Sequence, residues 1–210
     1  MIYQHSSSDY VRLKNEPLKP IIKLHIGCGP RILKDWINID LSYEPNFQNY
    51  NYGQKYYPLK IRGNKKDLYL FDIIDVGLPL PENSVDVIFH EDFIEHLDQK
   101  EQFQFLAETL RVMKKGGVHR INTPNLLASM EKSSDFLKGI EGVYTAEWTR
   151  WEHKNILTPN TLKEMAFMVG YKKILFQKRD ISKSKLIPLE FRPGFDRNIL
   201  DGNIFADLIK

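Results

Sequence analysis

The chain has 210 residues, a mass of 24.7 kDa and 27% charged residues, which is the size and balance of one folded domain with a substantial core. A net charge of +3 gives no case for a nucleic-acid partner, and a single cysteine rules out an internal disulfide. Met1 to Pro17 is polar without an apolar leader segment, and no apolar run reaches the roughly 20 residues of a membrane helix, so the expectation is one cytoplasmic domain over 1–210 without a membrane partner.

Residues 1–19 read as a polar N-terminal arm with a helical turn. Ile21 to Ile26 is a short apolar strand that runs into Gly27-Cys28-Gly29-Pro30. Glycines there let a backbone approach a ligand closely, because no Cβ intervenes. Only a few residues separate Gly29 from Ile37, so the first helix is about one turn or absent. Ile37 to Asp40 is a second strand that ends in an acid, and a strand-terminal aspartate can accept two hydrogen bonds from a ribose diol. Leu41 to Asp67 reads as a long irregular connection. Leu68 to Val76 and Val85 to Phe89 are near-continuous apolar runs, as in strands covered on both faces.

Between Gln99 and Lys114, Phe103, Leu106, Ala107, Leu110 and Met113 recur at helical spacing, and Gly116-Gly117 reads as the helix stop. Val118 to Thr123 is the next strand. Residues 125–157 form a mixed insertion, expected to act as a lid or substrate-side wall carrying Trp148 and Trp151. Thr158-Pro159 opens a helix that Gly170 closes. Tyr171 to Gln177 and Asn203 to Ile209 complete the strands. The alternation of strand and helix gives the α/β class with a mainly parallel sheet.

In that order, the strand with Gly27-Cys28-Gly29, the strand ending at Asp40, the segment Phe71-Asp72-Ile73-Ile74-Asp75-Val76, the run from Leu78-Pro79 to His90, and Leu110 to Val118 resemble the class I S-adenosylmethionine (SAM)-dependent methyltransferases, methyltransferase type 11-like small bacterial members above all. The resemblance implies a Rossmann-like seven-stranded sheet with an antiparallel last strand and a shortened first helix. It implies SAM as cofactor and S-adenosylhomocysteine (SAH) as product. By position, His25, Gly27, Cys28, Gly29, Asp40, Leu41, Asp75, Val76 and His90 are its expected cofactor residues, with Asp75 and the Val76 N–H at the adenine. His25 departs from the family, which has an acid two residues before the first glycine.

Methyl transfer from a sulfonium mainly requires alignment and exclusion of water, and only a weak acceptor such as a hydroxyl needs a base. His153, just before the Thr158-Pro159 cap, is the expected base, with His90 second. His96, in the family's His-Leu pair, reads as a packing residue. His90-Glu91-Asp92-Phe93-Ile94 lacks the second histidine of a zinc helix, so no metal is expected. The Asn/Asp-Pro-Pro-aromatic segment of enzymes that methylate amino groups on bases is absent after the fourth strand. That favours an oxygen on a small molecule or sugar over nucleic acid. The alternative is a non-catalytic binding protein of the same fold.

Overall fold

The computed structural model describes residues 7–43, 53–130, 144–192 and 202–210. Its strands are β1 (Lys23–Ile26), β2 (Ile37–Asp40), β3 (Leu68–Leu70), β4 (Val85–Glu91), β5 (Met113–Pro124), β6 (Lys173–Phe176) and β7 (Asn203–Ile209). The helices described are α1 (Ser7–Asn15), α2 (Gly53–Tyr56), α3 (Ile73–Val76), α4 (Gln99–Val112), α5 (Leu126–Ser129) and α6 (Pro159–Val169). The strands form one seven-stranded sheet in the order 3-2-1-4-5-7-6. β1 to β5 run parallel, while β7 is antiparallel to both β5 and β6. The expected α/β class I methyltransferase fold is thus the observed one.

Local chemistry sets the helix ends. Asp98 caps α4 by accepting from the Glu101 N–H at 2.8 Å, and the Glu101 carboxylate accepts from the Asp98 N–H in return. Thr158 caps α6 in the same way, Pro159 fills its first turn, and Gly170 ends it in the left-handed region at φ 119°.

Strand parity divides the core. Ile88 of β4 faces the layer built by Phe105, Leu106 and Leu162, while Val87 and Phe89 face Leu33, Trp36, Tyr56, Tyr57 and Phe191. The first layer is helical, and the second is supplied mostly by irregular segments. No described helix lies between β1 and β2. Instead the buried Asn38 side chain gathers that link: its amide donates to the carbonyls of Leu33 (2.9 Å), Trp36 (3.1 Å) and Asp67 (3.0 Å), and its oxygen accepts from the Leu33 N–H (2.8 Å).

Two expectations are corrected. The run from Leu68 to Val76 is not one strand. β3 ends at Leu70, and Asp72 caps the turn α3 by accepting from the Ile74 N–H at 2.8 Å. Nor do Gly116-Gly117 stop a helix. α4 ends at Val112, and β5 runs through both glycines.

Candidate functional site

A cavity of about 500 Å³ opens beyond the carboxyl ends of β1, β2 and β4, on both sides of the point where strand order reverses. The β1–β2 loop is its floor. The N–H groups of Gly27 and Cys28 donate to the Ile39 carbonyl at 2.9 and 3.3 Å, which ties the loop to β2. Gly27 has φ +59°, and a Cβ there would stand 2.5 Å from a ring carbon of Phe93. Gly29 has φ +50°, and no described residue comes within 4 Å of a Cβ position there, so among the described residues the space beside it is open.

Asp40 holds this loop and borders the cavity. One oxygen accepts from the Gly29 N–H at 2.7 Å. The other accepts from the N–H groups of Leu41 (2.7 Å) and Ser42 (3.3 Å). A carboxylate has about four acceptor positions, so one is left for a ribose hydroxyl. The open glycine, the fixed carboxylate and the cavity size fit a nucleoside cofactor.

His25, Gly27, Cys28, Gly29, Asp40, Leu41 and Asp75 all line this cavity. His25 is buried, stacked on Phe89 with ring centroids 5.2 Å apart, and 3.1 Å from the Asn38 side-chain oxygen. Burial, then the nearby Arg31 charge, pushes its pKa down to about 3. It is a neutral ring where the family has an acid. Val76 is a correction: it does not line the cavity, and its N–H already donates to the Asp72 carbonyl at 3.1 Å.

His90 is the second correction. Parity turns it into the helical layer, fully buried between Phe93, Phe105 and His119, away from the cavity. Among the described residues neither ring nitrogen has a hydrogen-bond partner, and burial alone pushes its pKa down to about 3. Its neighbour Glu91 takes the opposite face and pairs with the buried Arg31 at 2.6 Å. Burial raises the Glu91 carboxyl to about 7, against the pull of Arg31 and of the Arg192 N–H.

His153 is the third correction. It is buried, but the cavity is lined by its neighbour Lys154 and by His96 instead. His153 Nδ1 lies 2.7 Å from a Glu147 oxygen, and its ring meets His96 edge-on at 4.8 Å. Burial, then His153, lowers the His96 pKa, while a hydrogen bond to the Glu152 backbone works the other way. Trp148 and Trp151 do not line the cavity, and residues 131–143 of the expected lid lie outside the described residues.

Several lining residues escaped the sequence reading. Phe93 follows from the glycine it covers. Phe191 and Arg192 come from a segment without any recognisable motif, brought in by the Arg192 N–H, which donates to Glu91 at 2.9 Å.

Residues 24–121 match the sequence profile of the methyltransferase domain family of type 11. A stretch of 48 residues is 50% identical to a probable S-adenosylmethionine-dependent methyltransferase of Mycolicibacterium smegmatis, covering 23% of this chain and 18% of that protein. The fold is similar to a SAM-dependent methyltransferase from Archaeoglobus fulgidus (TM-score 0.53, 18% identity, 97% of this chain and 90% of that one). It is also similar to a methyltransferase from Mesorhizobium loti (TM-score 0.51, 11% identity, 96% of each chain). Sheet order, glycine loop and profile agree: the fold is that of the class I methyltransferases, and residues 24–121 are similar to the S-adenosylmethionine-dependent methyltransferase domain of type 11.

Proposed function

We propose that this chain transfers a methyl group from SAM to an oxygen of a small molecule or sugar. The observation that carries the cofactor half is the juxtaposition of Asp40 and the open Gly29 at the strand order reversal. Bound there, SAM supplies an already activated methyl group. Asp40 would accept from a ribose hydroxyl, Gly27 and Gly29 would let the backbone run alongside, and Asp75 borders the same cavity from α3. Phe93 and Phe191 line the same cavity and would help to exclude water around a bound cofactor, which favours in-line displacement.

The acceptor half rests on the turn after β4. The sequence there is Glu91-Asp92-Phe93-Ile94, without the Pro-Pro-aromatic element suited to amino groups on bases. His96 and Lys154 border the cavity beside it, so its acceptor end is rich in polar groups. His96 replaces His153 and His90 as the imidazole nearest an acceptor.

The test is calorimetric titration with SAH. Asp40→Ala should weaken binding by about 1.5–3 kcal/mol, the scale of hydrogen bonds to a charged group. A folded Asp40→Ala protein that binds SAH like the wild type removes the ribose assignment. A wild-type protein that binds no SAH leaves the non-catalytic reading.

A further inference from the structure

At the acceptor end of the cavity lies a cluster that binding of the cofactor does not use. Glu95 and His96 come from the turn Ile94–His96 after β4, and His153 from the segment before α6. One ligating atom from each of the three lies within 4.8 Å of the others. We propose that Glu95, His96 and His153 bind a divalent first-row transition-metal cation, and that its open positions hold the acceptor's oxygen. The second part rests on the methyltransferase reading; the binding of the cation does not.

Three observations support the site. First, Glu95 is fully buried, and its Oε1 has no hydrogen-bond partner among the described residues, although it lies 3.9 Å from His153 Nε2. Its other oxygen is fixed by the Thr123 hydroxyl at 2.8 Å, which leaves Oε1 aimed into the cluster. A buried, unpartnered carboxylate oxygen is costly unless a cation meets it.

Second, the imidazoles are oriented as metal-bound histidines are. Glu147 accepts from His153 Nδ1 at 2.7 Å and is itself held by the Ser129 hydroxyl at 2.7 Å, which leaves Nε2 facing Glu95. A carboxylate behind a histidine fixes its tautomer and raises its basicity toward a metal. His96 is hydrogen-bonded to the Glu152 backbone, another usual partner behind a ligating ring.

Third, the charge balance asks for a cation. Among the described residues no lysine or arginine lies within ion-pair reach of Glu95 or Glu147, while Lys154 pairs with Glu101 at 3.2 Å. A tetrahedral ion with ligands at about 2.0–2.2 Å would draw the three atoms together by roughly 1 Å. Two imidazoles and one carboxylate suit zinc, cobalt, iron or manganese better than calcium. Three protein ligands leave positions open, and His96 is the ligand that borders the cavity.

The test uses the untagged full chain after chelator treatment, titrated with Co²⁺ by calorimetry and by its visible absorption. One equivalent should bind, with the intense bands of a low-symmetry site. Glu95→Gln and His153→Asn should each lose more than about 100-fold in affinity, and Glu147→Gln about 10–100-fold. All three should still bind SAH as the wild type does, which shows that they fold. No saturable Co²⁺ site below about 1 mM, or equal affinity in wild type and variants, overturns the proposal. SAH titrations without metal test the cofactor reading separately: Co²⁺ binding without SAH binding would keep the cation site and sink the methyltransferase reading.

Discussion

Gly27 and Gly29 share a left-handed backbone, but different neighbours demand it. An alanine at either position pays the left-handed penalty of about 1–2 kcal/mol. At Gly27 the new Cβ also meets Phe93 at 2.5 Å, which adds an overpacking cost of about 1–3 kcal/mol. At Gly29 the Cβ enters space beside the cavity that is open among the described residues. Gly27→Ala should therefore lower the melting temperature more than Gly29→Ala does, while Gly29→Ala loses SAH affinity out of proportion to its small loss of stability. Equal melting losses would mean that Phe93 yields freely. Undiminished SAH binding by Gly29→Ala would place the ligand elsewhere. The glycine loop and Asp40 were legible because they are close in sequence and each has a distinct chemical reason. The Glu95–His96–His153 cluster was not, since its members stand 57 and 58 residues apart and only the packed turns bring them together. His90 was misplaced for a simpler reason: position at a strand's carboxyl end says that a residue is near the site, and only parity says which way it points.

At the scale of elements, the strands and the two long helices were legible from periodicity and caps. The short run 71–76 was not, because one apolar turn and one apolar strand of that length look alike. The Asp72 cap was its one distinguishing mark. The segment from Lys178 to Arg192, which carries no periodicity, is held by buried charge instead. Arg120 of β5 is fully buried. It donates to both Glu190 oxygens at 2.9 and 2.7 Å, to Asp207 at 3.3 Å and to the Lys178 carbonyl at 3.0 Å. Burial raises the Glu190 pKa, while Arg120 opposes that rise. Breaking such a pair by deleting one partner costs about 3–5 kcal/mol, because the other charge stays buried. Glu190→Ala should lose that much in denaturant unfolding. It should also speed amide exchange at Lys183 and Arg192, whose N–H groups donate to Asp207 and Glu91. Since Phe191 and Arg192 line the cavity, SAH affinity should fall too, although Glu190 is not among the residues that line it. Unchanged exchange at Arg192 would mean that its bond to Glu91 alone anchors the segment.

For the whole molecule, the buried titratable groups shape stability against pH. His25 and His90 have folded pKa values pushed down to about 3, and His119 well below its ordinary value, all chiefly by burial. Unfolded, each takes up a proton near pH 6.5. Below pH 6.5 the unfolded chain therefore binds more protons at these sites, and they withdraw stability as pH falls toward 3. The acids Glu91 and Glu190 work in the opposite sense, because burial raises them in the folded state. Going down from neutral pH to about 4.5, the folded chain takes up their protons first and gains stability. Below about 4.5 the unfolded acids are protonated as well, so that gain stops while the histidine loss continues. The melting temperature should thus fall less per pH unit between 6.5 and 4.5 than from 4.5 toward 3. His90 offers a clean check, since among the described residues neither of its nitrogens has a partner to lose. His90→Leu should be at least as stable as the wild type at pH 7. Its advantage should then grow by about 1.4 kcal/mol per pH unit below 6.5, the linkage of one proton. SAH affinity should stay unchanged, because the ring does not line the cavity. A variant that runs parallel to the wild type on acidification would show that His90 does not stay neutral in the fold. One that loses SAH would return His90 to the site.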